Sequence, residues 1–190
     1  MNKEDKRKYF EEELKVNPNS AKMYYQYAVL LKNKFSEYNL AMLQCVKALE
    51  IDPNYLEAHR LLGYLYISSD EGNYCLSKYH YEKILAIKPN DSDALFNVGF
   101  NYYIDLHEYD KAKYYFEKSI EADPEFDEAH QFLSYLLVEQ FSDFENAKFH
   151  HEKAVALNKR NADIDLENRI IHKCSDNSWL FTNDDELAKT

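Results

Sequence analysis

Glycine is scarce in this 190-residue chain: there are three, with four prolines. So few turn-formers exclude a protein of tight hairpins and point to helices joined by short connections. The scarcity also bears on nucleotide chemistry. A phosphate-cradling loop needs the GxxxxGK[ST] pattern, whose backbone N–H groups bind the phosphates. None of Gly63, Gly72 and Gly99 precedes a Lys-Ser or Lys-Thr pair. Cysteine is equally sparse. Cys45, Cys75 and Cys174 lie far apart with no CxxC spacing, which suits a reducing compartment and offers no metal or redox motif. The first residues contain no apolar run, and nothing approaches 18 consecutive apolar residues. The expectation is an intracellular, cytoplasmic protein without membrane insertion.

Positive charge is short as well. Lys and Arg total 23 against 34 Asp and Glu, a formal net charge of −11. Such a surface repels phosphate backbones, so no nucleic-acid partner is expected. The densest basic run, "KEDKRK" at residues 3–8, is interrupted and followed by acidic residues.

What the chain does have is aromatic residues, 17 Tyr and 11 Phe, and a strict internal period. Pro18, Pro53, Pro89 and Pro124 sit in the recurring texts "LKVNPNS", "LEIDPNY", "LAIKPND" and "IEADPEF". A fifth copy, "VALNKRN", has Lys159 in the proline slot. Other columns keep the same step. Ala28, Gly63, Gly99 and Ser134 are all small. Leu31, Tyr66, Tyr102 and Leu137 are large and apolar, and Tyr38, Tyr74, Tyr109 and Phe144 are aromatic. Internal repeats of this length identify stacked helical or strand units that bury a shared core. Here Ala58, Leu62, Leu65 and Tyr66, then Ser77, Tyr81, Ile84 and Leu85, recur at helical spacing, giving two helices per repeat.

The pattern resembles the tetratricopeptide repeat family. The resemblance rests on Leu62, Gly63 and Tyr66, on "YDKA" at 109–112 and on "DPN" at 52–54, and it covers roughly residues 19 to 159. It departs from the family in a longer unit, with the extra residues in the turns "NKFSEYN", "SSDEGNY", "IDLHEYD" and "EQFSDFE". A Sel1-like repeat fits worse, since only Gly72 lies in those turns. The resemblance implies an all-α, right-handed solenoid with four repeats at 19–53, 54–89, 90–124 and 125–159. A capping helix is expected over 1–18, with Tyr9, Phe10, Leu14 and Val16 on its apolar side. A second capping helix is expected over 160–174, followed by a polar tail over 175–190. Trp179, Leu180 and Phe181 are candidate anchors in that tail.

Two motifs invite a catalytic reading. "DEAH" at 127–130 matches a nucleotide-hydrolysing box, but no phosphate loop accompanies it. Asp127 and Glu128 suit the first turn of a helix, where negative charge meets exposed N–H groups. His130 also falls in the column of His59. His150, His151 and Glu152 are consecutive on a helix, so their side chains diverge by about 100° per residue and cannot converge on one ion. No HExxH, Ser-His-Asp or Cys-His signature is present. The expectation is a non-enzyme with no catalytic residue, cofactor or metal.

In the family the first helix of each pair lines a concave groove. Carried onto this chain, that lining includes Tyr25, Val29, Arg60, Tyr64, Phe96, Asn97, Phe100, Tyr103, Phe132 and Tyr135, with Lys32, Glu57, Asp93 and Glu128 among the polar members. The implied function is protein–protein interaction, as a scaffold or adaptor and small subunit of a larger assembly. Its groove would grip a peptide or helix through apolar anchors. The alternatives are a scaffold module of an RNA-processing complex and a co-chaperone lacking the carboxylate clamp. The clamp slots hold Tyr25, Val29, Leu61, Asp93 and Asn97 in one register and Arg60, Tyr64, Asn97, Glu128 and Phe132 in the next. No binding of a chaperone tail ending in EEVD is therefore expected.

Overall fold

A computed structural model describes residues 2–68 and 72–157. Among these residues there are nine α-helices and no strand. They are α1 (Lys3–Val16), α2 (Ala21–Leu30), α3 (Tyr38–Ile51), α4 (Leu56–Ile67), α5 (Tyr74–Ile87), α6 (Ser92–Asn101), α7 (Tyr109–Ala122), α8 (Asp127–Leu136) and α9 (Phe144–Leu157). Helices α2/α3, α4/α5, α6/α7 and α8/α9 form the pairs of a right-handed α-solenoid. The first of each pair is the inner helix and the second the outer. The expected cap at 160–174 and tail at 175–190, with Trp179, Leu180 and Phe181, lie outside the described residues.

The proline turns are built by short-range chemistry. Asp52 accepts from the Asn54 N–H at 3.0 Å, and Asp123 from the Glu125 N–H at 3.0 Å. These Asx bonds turn the chain while proline blocks further helix. Ser20, Asn73 and Asp91 then cap α2, α5 and α6 through their side chains.

The longer unit has a definite structural location. Helices α2, α6 and α8 each run into a five-residue π-helical turn, Leu31–Phe35, Tyr102–Leu106 and Leu137–Phe141. An i→i+5 turn takes one more residue than an α turn, which accounts for a step above the family's roughly 34 residues. Each turn ends in a left-handed residue: Ser36 (φ 56°), His107 (φ 51°) and Ser142 (φ 53°). The N–H groups of that residue and the next both point at the carbonyl that opened the turn. In the second repeat, one residue longer here, Gly72 (φ 49°) takes the left-handed role and Asn73 N–H reaches Tyr66 O at 2.7 Å.

Packing within pairs depends on the small column. A Cβ on Gly63 would lie 2.6 Å from the Tyr81 ring, and one on Gly99 3.0 Å from the Phe116 ring. Glycine thus lets an outer-helix ring press against the inner-helix backbone. Two buried clusters result. One centres on Leu31, Cys45 and Leu62, the other on Ile84, Val98, Phe116 and Leu133. Burial alone pushes the Cys45 thiol up to about 12, so it behaves as a small apolar side chain.

Helix α1 docks on the first pair. Phe10 stacks on Tyr27 at 5.5 Å, the Tyr27 hydroxyl donates to Glu11 at 2.9 Å, and Arg7 reaches Glu37 at 2.8 Å. The expectation of four apolar residues on its inner side holds for Phe10 and Leu14, which pack against the core. It fails for Tyr9, 45% exposed, and Val16, 75% exposed. Val16 is the last residue of the helix.

Candidate functional site

The inner helices and their π turns carry the expected groove residues, and all but Val29 fall into two groups that share Phe96. Phe96, Phe100, Tyr103, Phe132 and Tyr135 form one aromatic cluster across α6, its π turn and α8. Phe96 and Phe132 centroids lie 5.4 Å apart, Phe100 and Phe132 5.3 Å, Tyr103 and Phe132 6.5 Å, and Phe132 and Tyr135 6.1 Å. All five are half-buried and packed against the core beneath. These edge-to-face and tilted contacts stabilise the junction of the third and fourth pairs. Tyr103 adds a hydroxyl bond to Glu139 at 3.0 Å.

The other group surrounds a cavity of about 510 Å³, lined by Tyr25, Lys32, Glu57, Arg60, Leu61, Tyr64, Tyr81, Asp93, Phe96, Asn97, Phe126 and Glu128. Five of the ten expected partner-binding residues therefore line it: Tyr25, Arg60, Tyr64, Phe96 and Asn97. Val29, Phe100, Tyr103, Phe132 and Tyr135 do not. Tyr64 is the most open of the aromatic wall, 47% exposed, with the Lys32 ammonium 4.0 Å from its ring centre.

Three residues of the site are new relative to the sequence reading. Tyr81 belongs to an outer helix but reaches the cavity because Gly63 leaves room for its ring. Phe126 stands just before α8, with its ring 5.2 Å from Phe96. Asp91 caps α6 through the Ala94 N–H at 3.0 Å and also takes both oxygens to Arg60, at 2.8 and 3.0 Å. Arg60 bonds Asp93 as well. Asn97 is held by the same acid, its amide donating to Asp93 O at 2.8 Å and Oδ1 at 3.1 Å. Arg60 thus does not project as a free cation, contrary to its place in the expected binding set.

These contacts follow one rule. The residue two beyond Pro53, Pro89 and Pro124 meets the fifth residue of the preceding inner helix. The pairs are Tyr55 with Tyr25 (5.5 Å), Asp91 with Arg60, and Phe126 with Phe96. Ring meets ring at two junctions, and anion meets cation at the one between.

The histidines also pair. His59 Nδ1 lies 2.9 Å from His80 Nδ1, and His130 Nδ1 lies 2.8 Å from His150 Nδ1. Desolvation depresses all four, and pushes His80 and His150 down to about 4. "DEAH" is the opening turn of α8: Asp127 and Glu128 start the helix, and His130 bonds Pro124 O at 3.2 Å. Burial, then the neighbouring Asp127, raise the proton affinity of Glu128. Among the described residues no group of three or more His, Cys, Asp or Glu could hold a metal ion, and no helix is long and apolar enough to cross a membrane.

No protein-family model and no curated protein sequence matches the chain. Solved structures do. MamA from Desulfovibrio magneticus RS-1 superposes with a TM-score of 0.71 at 26% identity, over 85% of this chain and 88% of that one. PilW, described as a widely conserved type IV pilus biogenesis factor, gives 0.74 at 19% identity over 90% and 77%. A thermophilic tetratricopeptide-repeat protein of Thermus thermophilus gives 0.63 at 20% identity over 88% of both chains.

Proposed function

We propose that this chain, whose fold is that of tetratricopeptide-repeat solenoids, works as a non-catalytic scaffold that grips a segment of a partner protein on its inner-helix face. The observation that carries this reading is the cavity of about 510 Å³ beside exposed Tyr64, open on that face and walled by Tyr25, Leu61, Phe96 and Phe126. Exposed tyrosine beside an apolar recess supplies binding energy at low entropic cost, and such recesses accept helical or extended segments with apolar anchors. With only short connections between helices, the chain suits a small subunit of a larger assembly.

The ring cluster is a poor place to test this reading, since truncating Phe96, Phe100 or Tyr135 also removes packing between pairs. Tyr64 separates the two effects. A partner recovered by affinity purification from the native cell should be lost from Tyr64→Ala, while the helical circular dichroism and melting point stay close to those of the parent. A partner that stays bound to Tyr64→Ala places the interaction elsewhere and overturns the groove reading.

A further inference from the structure

The cavity's charge is unbalanced in a way that specifies its occupant. Two cations, Lys32 and Arg60, stand beside four carboxylates, Glu57, Asp91, Asp93 and Glu128, all but Asp91 on the lining itself. Arg60 is neutralised by Asp91 and Asp93, and its guanidinium is fixed by them. Lys32 lies at one side, over the Tyr64 ring. Glu57 and Glu128 have no ion-pair partner among the described residues. They open α4 and α8, the helices on either side of α6, and face one cavity. Both are exposed to water in the free chain; a partner segment that covers the cavity desolvates them, which is unfavourable unless the segment brings a cation.

We propose that this cavity receives a lysine or arginine side chain of the partner segment. Its aliphatic stem lies on Leu61, Tyr64 and Phe96, and its charged head sits in the field of Glu57 and Glu128. The inference rests on the groove reading above and adds the partner's charge to it. Aromatic faces at Tyr25, Phe96 and Phe126 reinforce the choice, because ring quadrupoles attract cations in a partly desolvated recess. An acidic segment meets the opposite field. A carboxylate entering here finds Arg60 already saturated, Lys32 alone at one side, and four like charges around it. A bare metal ion is a poor fit too, since no cluster of three ligating side chains is present among the described residues. The result is the reverse of a carboxylate clamp: the anions are on the scaffold and the cation on the guest.

The test uses random dodecapeptides displayed on phage, selected against the full chain at low ionic strength. The best binders are then titrated by fluorescence anisotropy against the parent, Glu57→Gln/Glu128→Gln and Tyr64→Ala. Glutamine keeps the shape and removes the charge. The expected result is enrichment of Lys or Arg next to apolar residues. Affinity should fall about tenfold in the double glutamine variant, the size of two partly exposed charge contacts. It should fall also in Tyr64→Ala, and binding to the parent should weaken with added salt. Acidic or neutral binders that Tyr64→Ala releases and the glutamines leave untouched would overturn the cation site and keep the groove. Binders indifferent to both variants, or no enrichment at all, would overturn both.

Discussion

His59 and His80 face each other Nδ1 to Nδ1 at 2.9 Å inside the second pair, and His59 Nε2 lies 3.0 Å from the carbonyl of Pro53. That carbonyl can only accept, so His59 carries its proton on Nε2 and receives at Nδ1 the proton of His80. Two charged rings would set N–H against N–H, so the pair holds at most one positive charge, and desolvation disfavours even that one. His130, Pro124 and His150 repeat the arrangement in the fourth pair. Around the first pair lie Tyr66, Tyr79 and Lys83; around the second lie Asp127, Asp143, Phe149 and Lys153. His80 and His150 fall from an ordinary 6.5 to about 4, chiefly by desolvation. Between those values the unfolded chain binds more protons than the folded one, so stability rises with pH across that window. The stabilisation is complete above pH 6.5 and is lost as pH falls toward 4. We expect a loss on the order of 2 kcal/mol per pair. Urea unfolding at several pH values should show it. The variant His59→Leu/His80→Tyr/His130→Leu/His150→Tyr installs the residues that the third repeat uses, Leu95 and Tyr115. Its stability should change less across the same window. An equal slope in parent and variant would assign the acid sensitivity to carboxylates instead.

The histidine pairs show where the sequence stopped being readable. The column containing His59 and His130 was visible, because residues in one repeat column share one environment. Their partners sit on the following helix, and a period of 35 or 36 does not say which columns touch. The same holds at the cavity. The inner-helix residues Tyr25, Arg60 and Phe96 could be placed from the repeat pattern alone. That Arg60 is tied down by Asp91 could not, because the contact crosses from one repeat to the cap of the next. Small-residue columns were the most legible feature, since close helix approach leaves few chemical options. The π-helical turns were legible only as extra length, for an added residue in a turn can be absorbed in several backbone conformations.

Gly63 and Tyr81 give a direct test of the small column. Across the repeats the matched positions read Ala28 with Cys45, Gly63 with Tyr81, Gly99 with Phe116 and Ser134 with His151, so glycine stands opposite the two six-membered rings and serine opposite the smaller imidazole. Gly63→Ala places a methyl group 2.6 Å from a ring that is only 2% exposed. Overpacking of this kind costs about 1–3 kcal/mol, against a gain below about 1 kcal/mol from better helix propensity. The net expectation is a lower melting point. Adding Tyr81→Cys recreates the pairing of the first repeat. The double variant should then show a coupling energy of about 1 kcal/mol or more in a double-mutant cycle. Strict additivity would show that the ring moves aside freely.

Ser36 and Ser142 end their π turns in the left-handed region, at φ 56° and 53°, where an L side chain is strained by roughly 1 kcal/mol. At the matching place in the second repeat the chain uses Gly72. Ser36→Gly and Ser142→Gly remove the strain but make the unfolded chain more flexible, which returns part of the gain. The balance favours glycine by about 0.5 kcal/mol at each site. Gly72→Ala runs the other way. It introduces the strain and sets a Cβ 3.0 Å from the Tyr74 ring, so it should destabilise by about 1 kcal/mol or more. Chemical denaturation of the three variants checks both signs at once. A destabilised Ser36→Gly would mean that the serine hydroxyl contributes more to the turn than the backbone strain costs.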